Sequence, residues 1–276
     1  LRNRLRVLAR RIAPVQLTAI GAFLTTGVPT IDFRVCNTVS DPPGLTEDQY
    51  SETLLRMDGP PACYHEMRTI VFSPIQPARI NGYFTFGFFN HPKKITREMV
   101  DQWTAILAQA PTARLKIIGL QHDASHQWLL NQFDKSGVAE RVELHGRLRI
   151  ENYDATLTTV DLALDSYPYN GGTTTLETLL AGVPVLTRRG PWSVSRSTLV
   201  ALEPLGLSDW AVDSAEEFIA RAVAIANGPV EPLETLRAQL PQRVRRSSLM
   251  DRVGYIERWE AALLDAIQRR RAAMSS

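Results

Sequence analysis

The sequence predicts an α/β protein built around a doubly wound parallel sheet. From residue 83 onward, short apolar runs alternate with longer stretches in which apolar residues recur at helical spacing. Strands that are separated by helices pair in parallel through right-handed crossovers. The runs predicted as strands are 83–89, 115–118, 142–144, 162–164 and 183–186. With 276 residues, 44% of them hydrophobic, the chain can form one large domain or two modest ones.

The same spacing predicts three further helices after residue 83. Residues 96–108 predict an amphipathic helix with Glu98 and Asp101 in its first turns, where acidic side chains favour the helix dipole. Residues 215–226 predict a second helix, and residues 249–271 predict a long final one. The apolar stripe of the final helix must pack on another part of the protein.

The region before residue 83 alternates less regularly. Residues 2–12 predict a basic helix, and residues 15–20 and 31–36 predict short strands. The elements expected next are a loop over 40–44, a helix over 46–55, a short strand over 62–64 and a linker over 73–81. This region therefore predicts a second, partial α/β unit.

Composition excludes several classes of protein. The 31 Lys and Arg against 29 Asp and Glu leave a formal charge of +2, which indicates no polyanionic partner such as a nucleic acid. Cys36 and Cys63 are too few for a disulfide framework or a zinc site of their own, so we expect reduced thiols. No run reaches the roughly 18 apolar residues of a membrane span. We expect a cytoplasmic protein.

The start of the chain imitates a targeting segment, because several arginines precede the apolar run 15–24. That run contains Gln16 and Thr18 and continues into strand-like sequence, and the chain opens on Leu1 rather than Met. We therefore expect the chain to begin within a longer protein.

The most informative stretch is 161–184, which reads DLALDSYPYNGGTTTLETLLAGVP. An apolar strand ends at Asp165, a loop containing Pro and Gly follows, and Thr173 begins a helix that stops at Gly182. The loop therefore lies at the carboxyl end of a strand, where open α/β sheets bind ligands.

The residues of this loop suit a phosphate. Gly171 and Gly172 let the backbone approach a ligand closely, and the first amides of the helix point outward at the positive end of its dipole. Thr173 and Thr174 add hydroxyl donors, and Glu177 could accept hydrogen bonds from a ribose. A glycine turn with a threonine cap and no ligand is the alternative that these residues leave open.

A second candidate element is FFNHPKK, residues 88–94, at the end of the first strand after the linker. In a parallel sheet this loop lies at the same edge as the Gly-Gly loop, so Lys94 could neutralise a diphosphate held there. A surface lysine at a helix start is the alternative. Only the convergence of the two loops favours a site.

The sequence predicts no metal site. His122 and His126 have the spacing of a helical metal pair, but the segment lacks the glutamate of the zincin pattern and an evident third ligand. The whole sequence contains no Asp-x-Asp pair, no Gly-x-Ser-x-Gly motif and no Walker lysine motif.

Three separated segments, in the same order, resemble the catalytic region of the O-linked N-acetylglucosamine transferase family, glycosyltransferase family 41. They are APVQLTAIGAFLTTGVPTIDFRV leading to SDPPG, then FGFFNHPKKI, then YPYNGGTTTLETLLAGVPVLT. The resemblance implies a GT-B fold of two Rossmann-like lobes with a UDP-sugar bound mainly by the C-terminal lobe. It also implies inverting transfer of the sugar, without a metal or other cofactor, to Ser or Thr hydroxyls of an acceptor protein or peptide.

The resemblance also assigns roles to residues. Lys94 is similar to the family lysine that contacts the diphosphate and stabilises the leaving group, Glu177 to an acidic residue that holds the ribose, and Tyr153 to a residue that packs on uracil. The residues implied to bind the nucleotide-sugar are Asn90, His91, Leu148, Arg149, Tyr153, Asn170, Gly171, Gly172, Thr173, Thr174 and Glu177.

The implied domains are a partial N-terminal, acceptor-side lobe with a linker over 1–78, a UDP-sugar-binding lobe over 79–248, and a C-terminal helix over 249–276 that packs back toward the N-terminal lobe. More of the N-terminal lobe and tetratricopeptide (TPR) repeats are expected upstream. Relatives that use UDP-glucose or GDP-fucose share this framework, so the donor stays open. A non-catalytic fragment that binds nucleotide or protein is a second alternative, and a nucleic-acid binder is the last.

Overall fold

The computed structural model describes residues 4–21, 24–120 and 124–275, which contain two parallel sheets. The first sheet follows the short helix α1 (Leu5–Leu8) and consists of β1 (Leu17–Thr18), β2 (Phe33–Cys36) and β3 (Thr53–Arg56) in that order. The N-terminal part of the chain is therefore an α/β unit of its own.

The second sheet is the larger one. Its strands are β4 (Thr85–Phe88), β5 (Arg114–Ile118), β6 (Val142–His145), β7 (Leu162–Leu164), β8 (Val185–Arg188) and β9 (Ala211–Val212). They pair in parallel in the order β6-β5-β4-β7-β8-β9. The chain moves outward from β4 to β6 and returns to start again at β7, so the strand order reverses between β4 and β7. Such a switch point is where doubly wound sheets bind ligands.

Helices cover both faces of this sheet. They are α2 (Pro77–Asn81), α3 (Arg97–Gln109), α4 (Ala124–Lys135), α5 (Ile150–Leu157), α6 (Thr173–Leu180), α7 (Ser197–Leu202), α8 (Ala215–Asn227) and α9 (Glu231–Arg246). One core lies on the side of α3, where Phe88 packs on Trp103 with ring centroids 5.1 Å apart. The other lies under α6, α7 and α9 and includes Leu180 and Leu240. Two cores on one sheet confirm the doubly wound α/β class.

The last helix, α10 (Arg252–Ser275), returns to the first sheet. Its Ala262 and Ala266 pack on Phe33, Leu55 and Met57. The final helix thus packs on the N-terminal sheet, while the residues at which one lobe ends and the next begins stay a prediction. Among the described residues no helix combines the length and the hydropathy that crossing a membrane requires.

The strands predicted after residue 83 and the helices predicted over 96–108 and 215–226 are confirmed. Some of the predictions for the region before residue 83 are wrong. The predicted helix over 46–55 is wrong: after a short 3-10 turn, residues 53–56 form β3. Leu54 and Leu55 suit a helix by local propensity, but pairing with β2 buries them, and that pairing is distant in sequence. The strand predicted over 62–64 is absent from this described segment, and the predicted linker 73–81 contains α2.

Candidate functional site

Two loops meet at the carboxyl edge of the larger sheet, where β4 and β7 lie side by side. The loop after β4 carries Asn90 and Lys94, and the loop after β7 carries Asp165, Asn170 and Gly171. Because the strands are parallel neighbours at the switch point, their following loops are forced together. The structure therefore brings together the two elements that the sequence analysis singled out.

The buried carboxylate of Asp165 joins the two loops. Its Oδ1 accepts hydrogen bonds from Asn90 Nδ2 at 2.9 Å, from the Ser166 amide at 2.8 Å and from the Gly171 amide at 2.9 Å. Its Oδ2 accepts one from Thr187 Oγ1 at 2.7 Å. One side chain, 5% exposed, thus orients a side chain of the first loop and the backbone of the second. Sequence analysis gave Asp165 only as a strand end, although an acid at that position is a signal for such a role.

The ammonium of Lys94 lies against the second loop. Its Nζ donates to the backbone carbonyl of Asn170 at 2.7 Å and lies 4.0 Å from the centre of the Tyr169 ring. Burial lowers the pKa of Lys94 to about 8, and the negative charge of Asp165 opposes part of that shift. The side chain is therefore a half-buried cation with an accessible neutral form.

Helix α6 begins directly beside this ammonium. Its N-cap is Gly172, and no side chain caps the helix. The first amides of a helix have no intrahelical acceptor and carry the positive end of the helix dipole. Thr173 is exposed and Thr174 is half-buried. This end of α6 therefore presents donors and positive potential where Lys94 also lies.

Gly171 has no room for a side chain. A Cβ placed there would collide with Thr175 Oγ1 and lie 3.2 Å from both Asn90 Oδ1 and Asp165 Oδ1. At Gly172 the same atom would meet nothing within 4 Å. The two adjacent glycines therefore differ: the first is required by packing of the loop, and the second leaves open space at the helix start.

We predict that Gly171→Ala lowers the free energy of unfolding by about 1 to 3 kcal/mol, because the added methyl forces Thr175 and the carboxylate network to shift. Gly172→Ala is the matched control and is expected to stay within about 0.5 kcal/mol of wild type. Denaturant titration of the two variants measures both values. Equal stability of the two variants would contradict the packing that the loop shows.

A cleft of about 1410 Å³ opens beside the two loops. Its polar lining includes Asn90, His91, Lys93, Thr174 and Glu177 on the side of the two loops and Arg147 on the side of α5. Leu148, Tyr153 and an apolar wall formed by Ile118, Leu120, Trp128 and Ile150 line another part. The Tyr153 ring meets Phe89 edge to face, with centroids 6.0 Å apart, and burial raises the pKa of its hydroxyl. The cleft is therefore polar beside the two loops, and its lining at α5 is largely apolar.

Most residues that the resemblance singled out border this cleft or its loops, and one does not. Arg149 is the N-cap of α5 with an exposed side chain, and its neighbours Leu148 and Ile150 line the cleft instead. Asn170 is 2% exposed and lies in the loop wall, where its Nδ2 donates to the Ser166 carbonyl at 2.7 Å. Its side chain supports the loop, while its carbonyl contacts Lys94.

Sequence analysis also missed Arg68, which lies in the segment of chain between β3 and α2. Its guanidinium bonds both carboxylate oxygens of Asp154 on α5 at 2.7 and 2.8 Å, and its Nη1 donates to Glu177 Oε1 on α6 at 2.8 Å. These two carboxylates raise the pKa of Arg68. Because the segment around Arg68 has no regular secondary structure, no periodic pattern indicated the contact.

The metal pair considered from the sequence can be placed only in part. His126 lies in α4, whereas His122 falls outside the described residues. Within 4–21, 24–120 and 124–275, no three His, Cys, Asp or Glu side chains are grouped so as to hold a metal ion.

Comparison with known proteins identifies the family. A sequence model of glycosyltransferase family 41 matches residues 68–258. The chain belongs to this family. It is 33% identical over 264 residues to the probable UDP-N-acetylglucosamine–peptide N-acetylglucosaminyltransferase SPINDLY of Petunia hybrida, and 34% identical over 254 residues to that of Solanum lycopersicum. These matches cover 94% and 90% of the chain but only 28% and 27% of the relatives.

Solved structures agree with this family. A mutant of the Thermobaculum terrenum O-GlcNAc transferase matches 96% of the chain and 50% of its own length, with a TM-score of 0.84 and 33% identity. The lipopolysaccharide glycosyltransferase WaaG matches with a TM-score of 0.54 at 17% identity, which shows the fold alone. The family 41 chain therefore has the GT-B type of fold that the resemblance implied.

Proposed function

We propose that this chain is the donor-binding part of a glycosyltransferase that transfers a sugar from a UDP-sugar to Ser or Thr hydroxyls of a protein or peptide. N-acetylglucosamine is the sugar we favour, because the similar plant proteins carry UDP-N-acetylglucosamine–peptide N-acetylglucosaminyltransferase in their names. The chain spans about 28% of the length of these relatives, so the complete reaction belongs to a longer protein.

One observation carries the proposal: the Lys94 ammonium lies 2.7 Å from the carbonyl of the loop that leads into α6 and 3.5 Å from Oδ1 of Asn90, which lines the cleft. A lysine, free helix amides and two threonine hydroxyls at one place provide positive charge and donors for a diphosphate. The carboxyl edge of a doubly wound sheet at its switch point is also where nucleotides bind.

The geometry suits departure of a nucleoside diphosphate. When an acceptor hydroxyl attacks the anomeric carbon, the bond from that carbon to the diphosphate breaks and negative charge accumulates on the departing oxygen. A preorganised cation and aligned amides stabilise that charge in the transition state. In this scheme Lys94 is the catalytic residue, while Thr173 and Thr174 bind phosphate through their amides and hydroxyls. The positive charge that a metal would otherwise supply comes from Lys94 and the α6 dipole.

The opposite end of the cleft suits a nucleoside. Glu177 lies one turn beyond Thr174 and can accept hydrogen bonds from ribose hydroxyls, and Tyr153 and Leu148 form an apolar surface on which a base can pack. Asn90 and His91 line the cleft next to Lys94. The donor would therefore lie with its diphosphate at α6 and its base at α5.

Calorimetric titration of the 276-residue chain with UDP and with GDP tests the donor assignment. We expect UDP to bind with an affinity at least about tenfold higher than GDP, because the similar plant proteins are named for a UDP-sugar donor. Tighter binding of GDP than of UDP would indicate that the donor is a GDP-sugar and not a UDP-sugar. Binding of neither nucleotide would contradict the proposed site.

The pH dependence of UDP binding follows from the buried lysine. Because burial lowers the pKa of Lys94 to about 8, the ammonium is present below that pH and is lost above it. Between about pH 7 and pH 9 its charged fraction falls from roughly nine-tenths to one-tenth, so UDP affinity is expected to fall up to about tenfold. Bound diphosphate favours the charged form, so binding near pH 8 takes up protons. If the UDP affinity of a Lys94→Met variant falls with pH as steeply as that of the wild type, the pH dependence belongs to another group.

A further inference from the structure

One arginine joins α5 to α6, two helices that each contribute residues to the lining of the cleft. Arg68 lies in residues 64–73, here called the crossing segment, which runs from the first sheet toward the second. The segment is fixed at several points: the Tyr64 amide donates to the Leu249 carbonyl at 2.8 Å, and the Ser73 carbonyl accepts from the buried Arg237 at 2.9 Å. Arg68 therefore lies between two points at which the segment is fixed, residues 64 and 73.

The two partners of Arg68 belong to different helices. Asp154 is 5% exposed and belongs to α5, directly after Tyr153, whereas Glu177 belongs to α6, one turn after Thr174. Tyr153, Thr174 and Glu177 all line the cleft. A guanidinium is a rigid planar fork, so two bonds to Asp154 and one to Glu177 fix the separation of the two helices.

Arg68 also determines what Glu177 can offer a ligand. It occupies Oε1 of Glu177, and in the described part of the chain no group donates to Oε2. A carboxylate oxygen keeps its capacity as an acceptor until a donor fills it. Without the guanidinium, the two carboxylates would repel each other and Glu177 could turn away. The arginine thus leaves one fixed acceptor oxygen at the cleft.

We propose that Arg68 is the positioning residue for the nucleoside end of the donor: it holds Glu177 with Oε2 directed at the ribose and keeps the α5 wall at the distance that a base requires. This inference rests on the proposed function. The diphosphate end depends on other groups, namely Lys94 and the start of α6. Loss of Arg68 should therefore weaken recognition of the nucleoside and spare recognition of the diphosphate.

Titration of the 276-residue chain with UDP and with inorganic pyrophosphate separates the two ends. We expect Arg68→Met to weaken UDP binding about tenfold, the usual loss for a misplaced charge-assisted hydrogen bond, and to leave pyrophosphate binding within about twofold. A general loosening of the fold would weaken both ligands alike and would overturn the proposal. So would unchanged binding of UDP.

A double-mutant cycle tests whether Arg68 acts through Glu177. Glu177→Gln alone should lower the preference for UDP over pyrophosphate, and adding Arg68→Met to it should lower that preference by less than Arg68→Met does in the wild-type chain, because only the effect on the α5 wall remains. Additive losses would overturn the proposal. If Arg68→Met does not fold, Arg68→Lys replaces it, because it keeps a cation at the buried Asp154 but cannot donate in the fork geometry. The same UDP-selective loss is expected there, and wild-type UDP affinity would contradict it.

Arg245→Met is the matched control. Arg245 binds Glu66 of the same crossing segment at 2.9 and 3.0 Å, on the side of α9, and should not alter the affinity of either ligand. A selective loss in this variant too would assign the effect to the segment as a whole and overturn the role of Arg68. Lys94→Met, in contrast, should weaken both ligands. If UDP binding is weakened by Lys94→Met but not by Arg68→Met, the role of Arg68 is refuted and the proposed function stands. If the wild-type chain binds neither UDP nor pyrophosphate, the proposed function is refuted together with the role of Arg68.

Discussion

Replacing Lys94 with methionine is expected to lower kcat by roughly 10²- to 10³-fold in the longer protein that contains both lobes, while the fold stays intact. The reason is electrostatic: the ammonium is a charged donor that the structure places at the loop leading into α6, 2.7 Å from the Asn170 carbonyl. Removing a preorganised donor of this kind raises the barrier by about 3 to 4 kcal/mol.

The measurement is the rate of sugar transfer to an acceptor peptide at saturating donor, together with a thermal unfolding curve. Lys135→Met is the matched control, because Lys135 is an exposed lysine at the end of α4 that does not line the cleft. We expect that variant to keep its rate within about threefold. Near-normal turnover of Lys94→Met would refute the catalytic role.

Replacing Asp165 with alanine is expected to lower the free energy of unfolding of the 276-residue chain by about 3 to 5 kcal/mol and to abolish UDP binding. Four donors depend on this carboxylate, and each buried donor left without an acceptor costs about 1 to 3 kcal/mol. Relaxation of the loops recovers part of that cost. The same relaxation separates Asn90 from Gly171, so the site is lost with the stability.

Denaturant titration and calorimetry with UDP measure the two effects. Asp165→Asn keeps the shape and one acceptor oxygen, so its loss of stability should be smaller than that of Asp165→Ala. Asp134→Ala, which removes an exposed carboxylate on α4, should change neither quantity. An Asp165→Ala protein that unfolds at the wild-type denaturant concentration would show that the carboxylate does not organise the two loops.

Several site elements were predictable because their signals are local. Helix α6 begins at Thr173 as predicted, since a glycine turn before it and Gly182 with Pro184 after it specify both ends of the helix. The placement of Lys94 beside the Gly-Gly loop also follows from sequence, because parallel strands at a switch point bring their carboxyl ends to one edge. The roles of the individual donor-binding residues stay predictions.

The elements that were missed have non-local causes. Helix α9 contains Pro241, which argues against a helix by local rules. Its own residues Leu240 and Val244 are nevertheless buried in the core beside α6. Strand β3 exists through pairing with β2. In both cases the free energy of burial or pairing outweighs the local preference, and neither contact can be read from a short window of sequence.

The sequence by itself determined the doubly wound class, the glycine loop before α6 and the lysine that follows β4, because hydrophobic period, glycine and proline act over a few residues. Only the tertiary structure decided that Asp165 joins the two loops and that Arg68 joins α5 to α6. A buried carboxylate or guanidinium selects its partners by distance and desolvation after the chain has packed, and those partners lie up to 109 positions away along the chain.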